Sequence, residues 1–142
     1  MEKLNEQTKK VMEERFNHDT LLALATVDGT VPWVRTVDAL YEDGCFYVVT
    51  YALSNKMQQI AKNSTVAVSG EWFTAHGVGE NLGHVRDKKN EGIANKLRAA
   101  FAAWYNEGDV NEEDPNTCIL CIRLTNGVLC ADGKRHEIDF SK

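Results

Sequence analysis

Residues 33–56 read WVRTVDALYEDGCFYVVTYALSNK, and the rest of the chain is organised around them. Two runs rich in β-branched and aromatic residues flank Glu42-Asp43-Gly44, so the stretch predicts an antiparallel hairpin. A sharp entry into a short helix follows at Ser54-Asn55-Lys56. Arg35 is the lone cation of the first strand, and Thr50 is a hydroxyl at the end of the second. Lys56 stands at a helix start, where unpaired N–H groups and the positive end of the dipole add to its charge. A phosphate site needs these features. The same residues also suit a strand arginine reaching a surface carboxylate and a capped helix with an exposed lysine. The residues alone leave both readings open.

Working outward, residues 20–27 (TLLALATV) form a nearly continuous apolar run of strand length. Asp28-Gly29 is a hairpin signal that joins it to a strand over 31–41, with Pro32 at the strand's start or at an edge. Residues 45–51 return, completing a three-stranded meander. Ser54 is the expected N-cap of a helix over 55–62 with Met57, Ile60 and Ala61 as its buried stripe. Residues 65–72 read as a fourth strand with Gly70 at a bulge, continuing through Phe73 as far as Val78 if the strand bends. The segment 76–83, HGVGENLG, spaces its glycines as Gly-x-Gly-x-x-x-Gly. That matches neither the dinucleotide fingerprint nor the P-loop. A plain turn or edge corner is expected there, with a ligand-bordering loop as the alternative.

Before the meander, residues 4–16 predict an amphipathic helix with Leu4, Val11, Met12 and Phe16 on one stripe. After it, Ile93, Leu97, Ala100, Phe101 and Trp104 predict a helix over 88–106, ended by Gly108. An acidic loop follows to Asp114-Pro115, its charges expected to face solvent. Strands over 117–125, 128–131 and 134–140 are expected, joined by turns at Asn126-Gly127 and Asp132-Gly133. This arrangement predicts one mainly β domain over 1–142, a six- to seven-stranded antiparallel barrel with helices packed outside.

Composition narrows the function classes. The net charge of −5 with no basic run argues against nucleic acid as a partner. No apolar run reaches the roughly 20 residues of a membrane helix, and the polar N-terminus lacks a signal-peptide core, so no membrane and a cytoplasmic location are expected. Cys118 and Cys121 form a C-x-x-C inside a strand pattern. Residues three apart in a strand point to opposite faces, so buried, reduced thiols are expected rather than a metal or redox pair. No nucleophile elbow or metal-ligating histidine spacing is present. His76 and His84 flank the glycine segment as candidate ligand contacts, and His136 is expected at the surface. Trp33, Trp72 and Trp104 are expected to fill the core, a substrate pocket being the alternative.

The order and spacing of several pieces carry a resemblance: the Asp28-Gly29 turn, Trp33-Val34-Arg35-Thr36-Val37, Phe46-Tyr47-Val48-Val49-Thr50, Ser54-Asn55-Lys56 and Asn63-Ser64-Thr65-Val66. From about Leu21 to Phe140 the chain resembles the pyridoxamine 5′-phosphate oxidase-like superfamily, the FMN-binding split β-barrels. The resemblance implies that Arg35 contacts the FMN phosphate and that Thr36 and Val37 run past the flavin ring. It implies that Thr50, Ser54 and Lys56 complete the phosphate site. Asn55 stands where many members carry an arginine, which removes one charge and weakens the hold on phosphate. The resemblance also implies a homodimer with FMN at its interface, the second chain contributing through the glycine segment or Trp72-Phe73. The end of the chain, KRHEIDFSK, departs from the arginine- and histidine-bearing segment that recognises pyridoxal in the true oxidase, so vitamin B6 is not the expected substrate. The leading expectation is a homodimeric FMN-dependent oxidoreductase, its electron partner open. The alternatives are a flavin-binding stress or sensor protein without turnover, a haem protein with His76, His84 or His136 as axial ligand, a deazaflavin-binding protein, and an interaction domain built on the acidic loop.

Overall fold

The structure is a computed structural model that describes residues 1–141. Alternation of period two shapes its centre. In β2 (Thr20–Asp28), Leu22, Leu24 and Thr26 are buried while Leu21 is exposed. Gly29 turns the chain at φ 63° into β3 (Val31–Glu42), which pairs with β2 from Val31 opposite Asp28 to Ala39 opposite Thr20. The next turn places Asp43 and Gly44 at φ 46° and 86°, the positive values that a tight two-residue hairpin requires. The Gly44 N–H donates to the Tyr41 hydroxyl at 3.0 Å. β4 (Cys45–Tyr51) leads into α2 (Asn55–Lys62), which buries Met57 and Ile60.

The chain then forms β5 (Thr65–Gly70), β6 (Phe73–His84), α3 (Glu91–Ala100), β7 (Thr117–Ala131) and β8 (Lys134–Asp139). The order β7-β4-β3-β2-β5-β6 closes on itself through a β6–β7 pairing, giving the antiparallel barrel that the sequence predicts. β8 lies beyond β7, and β1 (Glu2–Lys3) pairs with it in parallel, a contact the sequence did not suggest. α1 (Glu6–Phe16) begins two residues later than the periodicity implied, because Asn5 and Thr8 form a reciprocal capping box. Its Met12 and Phe16 join Leu22, Leu24, Phe46, Phe73 and Ile122 in the barrel core. A second core lies between α3 and the outside of the sheet, where Leu97, Phe101 and Tyr105 pack on Leu40 and Ile119. Cys118 belongs to the barrel core, and Cys121 lies opposite Tyr47 in the β4–β7 ladder, with Cys45 two residues before Tyr47. All four cysteines are free thiols.

Several expectations are corrected. The glycine segment is not a turn but the middle of β6. A Cβ on Gly77 would lie 2.9 Å from the Arg123 carbonyl oxygen, and one on Gly79 would lie 3.0 Å from Ile60. These glycines let β7 and α2 approach, and the true turn falls earlier, at Glu71-Trp72, with Trp72 at φ 53°. Asn126-Gly127 likewise makes no hairpin. β7 runs through it because a Cβ on Gly127 would meet Ala75 at 2.7 Å, so glycine serves close strand packing there. The helix expected over 88–106 is one 3₁₀ turn (Lys88–Asn90) followed by α3, and the chain continues past Ala100 as tight turns with Trp104 N–H bonded to the Phe101 carbonyl. Trp33 and Trp72 are 51% and 72% exposed, so of the three tryptophans only Trp104 packs against a core. His136 is not a surface residue: its side chain is 12% exposed and bonded to Glu2 of β1 at 2.9 Å. Glu112 of the acidic loop faces inward. It accepts from Arg98, Arg86 and the Tyr105 hydroxyl, and these bonds, Arg98 foremost, hold its carboxyl down at about 2.

Candidate functional site

β3 and β4 are paired only at Leu40–Tyr47, Tyr41–Phe46 and Glu42–Cys45. Beyond those pairs the strands part. β3 stays with β2, and β4 stays with β7 out to Tyr51 opposite Thr117. The opening is a cleft of about 300 Å³. Val37 and Asp38 line it from β3, and Val48, Val49 and Thr50 from β4. Lys56 reaches it from the start of α2, and Trp104, Asp109 and Val110 border it from the segment after α3.

The cations behind this cleft are held in place but not neutralised. Strand alternation turns Arg35 to the same side of β3 as Val37 and Ala39, toward the barrel interior. Its guanidinium donates to Thr26 Oγ1 at 2.7 Å, to the Leu24 carbonyl at 3.3 Å and to Gln59 Oε1 at 3.4 Å. Lys56 Nζ approaches Ser54 Oγ at 3.5 Å. Burial lowers the pKa of Arg35, and burial together with the charge of Arg35 lowers that of Lys56. Among the described residues neither cation forms an ion pair with a carboxylate. Two partly desolvated positive charges that repel each other make a site that gains from an anion. Ser54 is the N-cap of α2 by backbone geometry, yet its side chain makes no capping bond. The first N–H groups of the helix and the Ser54 hydroxyl are therefore left for another acceptor.

Arg35, Ser54 and Lys56 thus converge, and Val37, Thr50 and Lys56 share the cleft wall. Thr36 points to the outer face of β3 and is exposed, and Asn55 is exposed at the first position of α2. A phosphate-bearing group suits this donor set: two cations, two hydroxyls and a helix N-terminus. Four further residues complete the surroundings; three of them, Thr26, Asp38 and Gln59, escaped the sequence reading, and the fourth, Trp104, is one for which the sequence offers a core role with a pocket as the alternative. Thr26 and Gln59 position Arg35, while Asp38 and Trp104 border the opening. A signal existed for two of them. Thr26 is a hydroxyl at a core position of an apolar strand, and Asp38 is an acid in the middle of one. Gln59 is brought in by tertiary packing alone. Of the candidate histidines, His84 uses both ring nitrogens, on the Asp114 carbonyl at 3.0 Å and the Arg86 N–H at 3.0 Å.

A family model described as pyridoxamine 5′-phosphate oxidase matches residues 8–129. The chain belongs to the pyridoxamine 5′-phosphate oxidase family. No curated protein matches it. Among solved structures, a NimC/NimA family protein from Clostridium acetobutylicum is 20% identical, with a TM-score of 0.67 over 91% of this chain and 89% of that one. A FAD-binding protein from Mesorhizobium loti is 13% identical, with a TM-score of 0.64 over 87% and 92%. A heme binding protein from Mycobacterium smegmatis is 15% identical, with a TM-score of 0.64 over 86% of this chain and 53% of that one. At these identities the likeness is one of fold. Among the described residues no helix is long and apolar enough to cross a membrane.

Proposed function

We propose that this member of the pyridoxamine 5′-phosphate oxidase family is an FMN-binding, homodimeric oxidoreductase. One observation carries the reading: Arg35 and Lys56 are a partly buried cation pair with no carboxylate partner among the described residues, beside the Ser54 hydroxyl and a helix start that no side chain caps. In this reading Arg35, Ser54 and Lys56 hold the phosphate, Thr50 and Val37 flank the entry to the cleft, and Thr36 and Asn55 lie at its margin. Bound there, FMN supplies the redox chemistry. The protein's part is to bind, orient and shield. Thr26 and Gln59 fix the guanidinium, and the apolar walls Val37, Val48 and Val49 keep water from the ring.

A second copy of the chain fits the outer face of β2 and β3. Leu21 and Val34 are 68% and 70% exposed there, with Ala23, Ala25 and Thr36 between them. Vitamin B6 is not the proposed substrate. Arg135 and His136 of the last strand are engaged with Glu137 and Glu2, away from the cleft. The haem reading loses His84, which has no free ring nitrogen, but keeps His76 and His136, each bonded through Nδ1 alone, to Asn126 and to Glu2.

The test is an absorption titration of the purified protein with FMN and with riboflavin. FMN should bind at least about tenfold tighter, as expected from one or more charge-assisted phosphate bonds. Equal affinities, or no binding of either, would remove the phosphate site and the flavin reading with it.

A further inference from the structure

We propose that Trp72 and the cations beside it form a second binding site, for a nucleoside monophosphate, separate from the cleft. The inference stands apart from the flavin reading above.

Trp72 is out of place in two ways. Glu71 and Trp72 are the two residues of the turn between β5 and β6, closed by Gly70 opposite Phe73. Trp72, at φ 53°, holds the second of these positions, where a positive φ calls for glycine or asparagine. A bulky residue there is strained. Trp72 is also 72% exposed, so burial does not offset the strain. The turn is nevertheless firmly held. Arg15, in the last turn of α1, donates from Nη1 to the carbonyls of Glu71 and Cys130, each at 3.1 Å. The Cys130 N–H donates to the Trp72 carbonyl at 2.9 Å. A clamped backbone thus presents a large apolar ring to solvent. Strain kept in place by a rigid frame, at a side chain that the core does not use, points to contact with another molecule.

Beside the turn is a cavity of about 490 Å³, a size that suits a small ligand. Arg15, Asp132, Lys134 and Arg135 line it together with Trp72. Arg135 is paired with Glu137 at 2.7 Å, whereas among the described residues Arg15 and Lys134 form no ion pair. On a chain of net charge −5, this wall of three cations and one carboxylate is a local reversal of sign. Its chemistry has three parts. The exposed indole stacks on a heteroaromatic ring. The unpaired cations hold an anion by charge-assisted bonds. The Asp132 carboxylate accepts from a hydroxyl or amino group. A nucleoside monophosphate carries all three counterparts in its base, its phosphate and its sugar. The cleft lies elsewhere: its Thr50 is opposite Cys118 near the start of β7, while Trp72 is tied to Cys130 near the end of that strand.

The test is NMR of the ¹⁵N-labelled protein, following the indole N–H signals during titration with adenosine 5′-monophosphate, adenosine and inorganic phosphate. W72G identifies the Trp72 signal and gives the turn the residue it favours. The monophosphate should shift the Trp72 signal saturably and leave that of Trp104, at the cleft, in place. Adenosine and inorganic phosphate should each bind at least about tenfold more weakly, and K134A should weaken the monophosphate about fivefold. W72G should lose the binding while its urea midpoint stays at or above that of the wild type, since glycine relieves the strain. A lower midpoint in W72G makes Trp72 a structural residue and overturns the site, as does a Trp72 signal that the monophosphate leaves unmoved. Equal binding of adenosine overturns the phosphate-bearing ligand. A Trp104 signal that shifts with that of Trp72 puts the nucleotide in the cleft and overturns a second site.

Discussion

The barrel has a sealed seam and an open one. Along β6 and β7, pairing runs from Phe73 opposite Leu129 to His84 opposite Cys118, interrupted by register shifts after His76 and after Asn81. Along β3 and β4 the paired stretch ends after Leu40–Tyr47. At the sealed seam glycines replace side chains so that backbones can meet. At the open seam side chains remain and backbone pairing is given up, which leaves room for a ligand. The contrast teaches a division of labour: changes at the sealed seam should move stability and spare binding, and changes at the open seam should do the reverse.

The largest effect expected is at the sealed seam. G77V places a branched side chain against the Arg123 carbonyl and Ile122, and overpacking of this kind should cost about 3 kcal/mol. A urea denaturation midpoint within error of the wild type would break the comparison. At the open seam, R35A or K56A should each lower FMN affinity by about tenfold or more with an unchanged denaturation midpoint. If either variant instead unfolds, the cation is part of the frame rather than of a binding site.

Glu112 belongs to neither seam and acts as a control. It ties Arg98, Arg86 and Tyr105 beneath the segment that borders the cleft. Its folded-state pKa of about 2 lies below the unfolded value near 4.5. Its contribution is therefore complete above about pH 4.5 and is lost as the pH falls toward 2. E112Q should cost about 2 kcal/mol at pH 7, with a difference that shrinks across that acid window. A pH-independent difference would mean that packing, not charge, explains it. The smallest effect expected is N55R, which restores a cation at the start of α2 and should tighten FMN binding by about threefold.

The meander was legible because its signals are local. Gly29, Asp43 and Gly44 carry the positive φ their turns need, and the alternation around Leu22, Leu24 and Val37 states which face is buried. The same local logic misread Asn126-Gly127 and the 76–83 segment. There glycine answers to the strand or helix beside it, and a neighbour some fifty residues away leaves no mark in a local pattern. Trp33 and Trp72 show the converse limit: large and apolar, they sit at the end of a ladder and in a tight turn, where position overrides hydrophobicity. In the site, Arg35, Thr50, Ser54 and Lys56 stood out as polar groups at element ends or in apolar strands. Gln59, which helps hold Arg35, is one more polar residue on a helix until the helix is docked.

The parting of β3 from β4 leaves one strand with two kinds of amide. Every second N–H of residues 33–39 turns toward β2 and is locked in a ladder; the others turn toward the opening, where β4 does not pair with them. In deuterated water the two sets should exchange at very different rates, the first with the slow rate of the barrel, the second close to that of a loop. An occupant of the cleft slows only the second set. The strand therefore reports whether the site is filled, and any compound that produces that selective slowing has found the cleft before its chemistry is known.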